Sequence, residues 1–231
     1  MNAPSPNHTR MNCLPTYILI DTSSSMKSSE GILNETLEYL YDELIMSPRI
    51  SDFAHISIIS FNTDTHVVLE MADIQQITAL PQLECSGVTN FTRAFQVLHQ
   101  RIDHDVPMLN AAGREVLRPV AFLLTDGQPT DEEGRVTQAW RDEYGRLTDK
   151  GWRRRPNVVP FGFGGATADV LHDMATINGV AFLAKDNGNS DSLRKIFATL
   201  LNTLVTSAQE NELRLPTEVD GFIRVSRDII E

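Results

Sequence analysis

Short unbroken apolar runs alternate along this chain with longer stretches in which apolar residues recur every three or four positions. Tyr17-Ile18-Leu19-Ile20 is the first run, and Asp21-Thr22-Ser23-Ser24-Ser25 ends it abruptly. A continuous run of this kind suits a strand buried on both faces. Leu33, Leu37, Leu40, Tyr41 and Leu44 then fall on one face of a helix. Ser47-Pro48 stops that helix, because the residue before proline is pushed out of the helical region. His55 to Phe61 and Thr65 to Met71 read as a second and a third strand. The short Asn62-Thr63-Asp64 link makes them a hairpin, which places the third strand antiparallel at an edge. A second small polar loop, Cys85-Ser86-Gly87-Val88-Thr89-Asn90, opens a helix carrying Phe91, Phe95, Leu98 and Ile102. Asp105 to Arg118 reads as a long irregular connection.

Val120-Ala121-Phe122-Leu123-Leu124 is another doubly buried strand, with Pro119 tolerable at its first residue. It ends in Thr125-Asp126-Gly127-Gln128-Pro129-Thr130. Thr130 and Glu133 have the spacing of a capping box, so a helix is expected to start there with Val136, Trp140, Tyr144 and Leu147 as its apolar stripe. Val158 to Phe163 reads as the next strand, although Pro160 is awkward inside a central one. Asp169 to Ile177 is expected to be a short helix, Val180 to Ala184 a last short strand, and Leu193 to Leu204 a closing helix. Phe222-Ile223-Arg224-Val225 can add a strand in an otherwise ambiguous tail. Strands alternating with helices imply a mainly parallel, doubly wound α/β sheet with helices on both faces. The expected organisation is a lead-in over 1–14, one domain over 15–207 and a tail over 208–231 of unassigned role. In such sheets the ligand site lies outside the carboxyl ends of the strands.

Composition narrows the function. The chain has 231 residues, 41% of them hydrophobic and 22% charged, which fits an ordinary globular protein with a sizeable core. No apolar run approaches a membrane span, and Met1 to Pro15 lacks the apolar core of a secretory signal. A formal charge of −11 argues against a generic nucleic-acid binder. The one basic cluster, Arg153-Arg154-Arg155, reads as a solvated loop in preference to a dock for an acidic partner. Cys13 and Cys85 show no metal-binding spacing and read as free thiols, one at each end of the sheet. A reducing, cytoplasmic setting is therefore expected, and a monomer is favoured.

Three polar loops at one sheet edge carry the candidate chemistry. Asp21, Ser23 and Ser25 form D-x-S-x-S; Thr89 follows Gly87-Val88; Asp126 follows the apolar strand. Each is weak alone, since small polar residues are ordinary turn and cap formers. Jointly they offer three hydroxyls and two carboxylates, a hard oxygen set that suits magnesium, manganese or calcium. Neutral hydroxyls leave such an ion short of negative charge, so an outside carboxylate would be drawn to it.

The set DTSSS at 21–25, Thr89 in GVTNF, and LLTDGQPT at 123–130 resembles the metal-ion-dependent adhesion site of von Willebrand factor A domains. The likeness spans roughly residues 15 to 207, and the stretches LPTYILIDTSSSM and RPVAFLLTDGQPTD look most like bacterial TerY-like proteins linked to tellurium-resistance gene systems. The resemblance implies a Rossmann-like, six-stranded sheet in the order 3-2-1-4-5-6 with one antiparallel edge. It implies that Ser23, Ser25 and Thr89 contact the ion directly. Asp21 and Asp126 would act mainly through water, and a partner protein's Asp or Glu would complete the shell. Ser24 and Val88 stand where the family commonly has glycine.

Rival chemistries fare worse. A haloacid-dehalogenase-type phosphatase needs an acidic residue where Ser23 stands, so a metal-dependent hydrolase or phosphatase is the runner-up. No phosphate-binding G-x-x-x-x-G-K-[ST] loop and no G-x-S-x-G elbow occur. Gly162-Phe163-Gly164-Gly165 reads as a tight strand-to-helix turn. The expectation is a magnesium-dependent interaction module without catalytic activity.

Overall fold

The structure, a computed structural model, describes residues 12–73, 80–177, 179–185 and 189–225. Its strands are β1 (Asn12–Asp21), β2 (Ala54–Phe61), β3 (Thr65–Asp73), β4 (Glu115–Val116), β5 (Val120–Thr125), β6 (Asn157–Gly162), β7 (Phe182–Ala184) and β8 (Phe222–Arg224). Its helices are α1 (Glu30–Ile45), α2 (Pro48–Phe53), α3 (Phe91–Ala111), α4 (Trp140–Leu147), α5 (Ala168–Met174) and α6 (Asn189–Glu210), with a 3-10 turn over Ser24–Ser29. One sheet runs β3-β2-β1-β5-β6-β7-β8, with β4 paired to β1 off that path. The pairs β1–β2, β1–β5, β5–β6 and β6–β7 are parallel. Both edges, β3 against β2 and β8 against β7, are antiparallel. The expected order 3-2-1-4-5-6 is therefore present, but among the described residues the sheet has eight strands, not six. The additions are β4, which pairs through only Asn12 and Cys13, and β8 from the tail. β1 reaches back to Asn12; residues 1–11 of the expected lead-in lie outside the described residues.

Alternation along β1 builds the two cores. Ile18 and Ile20 face Leu33, Leu37, Phe197 and Leu200 of α1 and α6. Tyr17 and Leu19 face Phe91, Phe95 and Trp140 of α3 and α4. On the second side the rings of Phe61, Phe91, Phe95, Trp140 and Tyr144 form a chain with centroids 4.8–6.1 Å apart. The tilted and edge-on geometries are those that aromatic quadrupoles favour.

Three local expectations are revised. The segment from Asp105 is helical as far as Ala111, straight through Pro107, because Val106 and Leu109 continue the buried face of α3. Asp105 also lies on that face, fully buried, where it accepts from Tyr17 Oη at 3.1 Å and Arg101 Nη2 at 2.8 Å. The helix expected from Thr130 begins only at Trp140. Thr130 instead bridges to Val136 in a small antiparallel loop, and Val136 is 62% exposed. Between Ile45 and β2 there is an extra short helix with Pro48 in its first turn, where proline's missing N–H is not needed.

Pro160 sits in β6 opposite Leu123 of β5. Two residues earlier, Val158 donates its N–H to Thr176 Oγ1 and accepts from Thr176 N–H, so its polar groups point away from β5. Residues two apart on a strand point the same way. The missing N–H of Pro160 therefore faces away from β5, and β7 pairs only with Phe161 and Gly162. The β5–β6 ladder loses nothing. Among the described residues no helix is long and apolar enough to cross a membrane.

Candidate metal centre

The carboxyl ends of β1 and β5, together with the loop before α3, bring all five candidate residues to one edge of the sheet. Asp21 closes β1 and is completely buried. Its Oδ1 accepts from Ser23 N–H at 2.9 Å, and its Oδ2 accepts from the Thr125 hydroxyl at 2.6 Å. Burial raises its pKa to about 6, only partly offset by those hydrogen bonds, and the nearby Asp126 charge adds to the rise. Ser23 Oγ lies 3.0 Å from Ser25 Oγ, and Ser25 Oγ donates to Asp126 Oδ1 at 2.7 Å. Asp21, Ser23, Ser25 and Asp126 are thus linked across the two strand ends through the Ser23 N–H and the two serine hydroxyls.

Thr89 arrives from the other side. A Cβ built on Gly127 would lie 3.3 Å from Thr89 Oγ1, so the absence of a side chain at 127 leaves room for that hydroxyl beside Asp126. Thr89 is 6% exposed, and its hydroxyl makes no hydrogen bond among the described residues. Among the described residues the buried side-chain polar atoms without a partner are Thr65 Oγ1, Arg101 Nε and Trp140 Nε1, so the Thr89 oxygen reaches solvent and stands open to a ligand at this edge. Among the described residues no three His, Cys, Asp or Glu side chains cluster to hold a metal. The donor set here depends on hydroxyls, and all-oxygen sets of this kind fit hard divalent cations.

The loops are fixed by their backbones. Ser24 N–H donates to Gly87 O at 3.0 Å, and Ser86 N–H to Thr22 O at 2.8 Å, which ties the first loop to the second. Gly87 has φ +71°, a left-handed conformation that suits glycine. The serine at 24 and the valine at 88 are accommodated: Ser24 is exposed, and Val88 packs over Gly134. Thr89 and Thr130 clasp each other, with Thr130 N–H on Thr89 O at 2.9 Å and Thr89 N–H on Thr130 Oγ1 at 3.0 Å. Gly165 N–H donates to Asp126 O at 2.7 Å, so the glycine turn after β6 steadies the third loop.

Sequence reasoning missed Thr125, Thr130 and Gly165. Thr125 is the one that touches a candidate ligand side chain, and its signal was a hydroxyl closing an otherwise apolar strand. Around the edge, Arg93 pairs with Asp64 and Glu132, and Arg135 with Asp131 and Glu133.

The family profile of the von Willebrand factor type A domain matches residues 17–199. No curated protein sequence matches the chain. Among solved structures, the von Willebrand factor type A protein from Catenulispora acidiphila is similar at 15% identity and a TM-score of 0.58, covering 84% of this chain and 43% of that one. The ArnB paralog VWA2 from Sulfolobus acidocaldarius is 19% identical with a TM-score of 0.54, covering 84% and 46%. Proximal thread matrix protein 1 from the mussel byssus, in a structure with a zinc-occupied MIDAS motif, is 14% identical with a TM-score of 0.57, covering 84% and 48%. The chain spans about half the length of these solved structures.

Proposed function

The chain belongs to the von Willebrand factor type A domain family, and we propose from that premise that it is a metal-ion-dependent protein-interaction module. Asp21, Ser23, Ser25, Thr89 and Asp126 hold one divalent cation, with Ser23, Ser25 and Thr89 touching it and the two aspartates acting mainly through water. The observation that carries this reading is the convergence of the Ser23–Ser25–Asp126 oxygen chain with the Thr89 hydroxyl, which lies beside Gly127 at the same edge. A bound ion would supply an electrophilic position that a partner's carboxylate can complete. The chain's own residues orient that position: Thr125 fixes Asp21, Ser25 fixes Asp126, and Thr130 fixes the backbone of Thr89.

Magnesium is the expected species, and manganese or calcium suits the same oxygens. The mussel protein's site accepts zinc, which supports a divalent ion without selecting one for this chain. A binding module is favoured over a hydrolase because Ser23 occupies the position where a phosphatase of this topology would need its acid/base. A bacterial role in a tellurium-resistance or stress system rests on the sequence stretches around residues 14–26 and 118–131 alone, and a cytoplasmic setting on the two free cysteines and the apolar-poor start of the chain. Capture of partners from the native cell extract tests the reading. A partner retained with magnesium, released by chelator and lost with Thr89→Ala is expected. Retention that ignores both chelator and substitution contradicts it.

A further inference from the structure

The end of the sheet opposite the metal edge gathers cations, most of which no carboxylate answers. Arg118 leads into β5, and the turn from α4 to β6 carries Lys150, Arg153, Arg154 and Arg155. Asn157 N–H donates to Pro119 O at 2.7 Å, and Val120 is in register with Asn157. Arg118 and Arg155 therefore enter neighbouring strands side by side. The Arg155 guanidinium folds back over the turn and donates to Lys150 O at 3.0 Å and Trp152 O at 3.4 Å. Trp152 packs on His99 with ring centroids 4.2 Å apart, and Arg154 pairs with Asp103 of α3 at 2.6 Å. The turn is thus pinned to the body of the domain.

Among the described residues Arg118, Lys150 and Arg153 are exposed and make no ion pair, and the half-buried Arg114 beside Cys13 makes none either. At the metal edge, by contrast, Lys27, Arg93 and Arg135 are each paired. In a chain with 31 acidic and 20 basic residues, carboxylates are in excess, yet this patch stays unneutralised. Like charges gathered on a pinned turn repel one another, and an anionic ligand relieves that repulsion.

We propose that this pole is a second docking surface, which takes a short carboxylate-rich segment of a partner protein independently of the metal edge. The length of the patch selects this occupant over nucleic acid. Asp103, Asp149 and the exposed Glu115 border it. A phosphodiester backbone, uniformly charged, would run beyond the cations onto this acidic surround and onto a molecule of net charge −11. A run of a few Asp or Glu residues can end inside the patch. The domain then has two ends, with one partner offered a cation site and another an arginine-rich face.

The test is fluorescence anisotropy of a labelled octaglutamate peptide, with EDTA present throughout so that the metal edge is silent and its failure is separable from this one. Arg118→Glu with Arg153→Glu is compared with Lys185→Glu with Arg224→Glu, two exposed cations at the β7–β8 edge that also lack ion pairs. Both pairs change the net charge equally. Saturable binding at about 50 mM salt that weakens as salt rises is expected from the wild type. The first variant should lose about tenfold or more in affinity, and the second should stay within about twofold of wild type. Arg118→Gln with Arg153→Gln, a milder change, should lose less than the charge reversal but more than the control, and it carries the test if the reversal does not fold. Absence of peptide binding, or equal losses in both variants, overturns the proposal. Tighter binding of a single-stranded DNA of equal charge overturns it in favour of nucleic acid.

Discussion

Asp21→Asn should make the metal-free protein more stable and the metal-loaded protein less so. Asp21 is completely buried, and burial raises its pKa to about 6 from an ordinary value of 3.8. A raised carboxyl pKa means that the folded state binds the proton more tightly than the unfolded state. The resulting stability is fully present below the unfolded pKa and is lost as pH rises through 6. Near neutral pH the metal-free fold therefore holds an ionised carboxylate at a cost of about 3 kcal/mol, two pK steps at about 1.4 each. An asparagine removes that charge. Its Oδ1 can still accept from Ser23 N–H, and Thr125 can turn its hydroxyl proton toward Gly127 O, 3.4 Å away. The gain should be up to about 3 kcal/mol, or a melting temperature higher by about 5–10 °C for a domain of this size. Melting in EDTA at about pH 7.5 and again at about pH 5 is the assay; the gap should shrink at the lower pH, where wild-type Asp21 takes up its proton. With saturating magnesium the order should invert, because wild type alone gains the full binding stabilisation. A variant less stable than wild type in EDTA at neutral pH, or a gap indifferent to pH, refutes the reasoning.

Thr125→Val removes the hydroxyl that donates to Asp21 Oδ2 and accepts from Gly127 N–H; metal affinity in a titration should fall by about 10–100-fold, and Thr125→Ser should restore most of it. Asp105→Ala strips a fully buried carboxylate from Tyr17, Arg101 and His104, so urea unfolding should show a loss of about 3–5 kcal/mol. Tyr17→Phe, which removes one neutral donor, should cost only about 1 kcal/mol. Burial pushes the Cys13 thiol to about 11 and the Cys85 thiol to about 12, and both are free. A thiol reagent at about pH 8 should leave the native protein almost untouched and find both thiols once it is denatured, and fast reaction in the native state contradicts this.

The doubly buried strands were the most legible part of the fold. Runs such as Tyr17 to Ile20 and Val120 to Leu124 can be nothing but interior, and their polar exits mark the edge of the candidate site. Where an apolar position held a polar residue, the pattern misled. Asp105 replaces a core side chain on α3 and is satisfied by Tyr17 and Arg101, which are distant or a turn away in sequence; with Pro107 beside it, the segment imitated a loop. The capping-box spacing at Thr130 was real, but the Thr130 hydroxyl accepts from Thr89 N–H and not from a helix of its own. Local chemistry was outbid there by a tertiary partner 41 residues away. β8 is only three residues long, and its pairing with β7 depends on chain reversal in a tail without periodicity. Of the candidate site, the five oxygen-bearing residues that the fold brings to one edge were legible as short motifs. Thr125, Thr130 and Gly165 were not, because their roles are contacts between loops.

Isothermal titration of magnesium, and then manganese, into chelator-treated protein tests the central claim most directly. The account predicts one site per chain, abolished in Ser25→Ala with Thr89→Ala while the melting temperature in EDTA stays near that of wild type. Those two loop hydroxyls belong to neither apolar core. No binding at about millimolar metal, or binding that survives the double substitution unchanged, would contradict it.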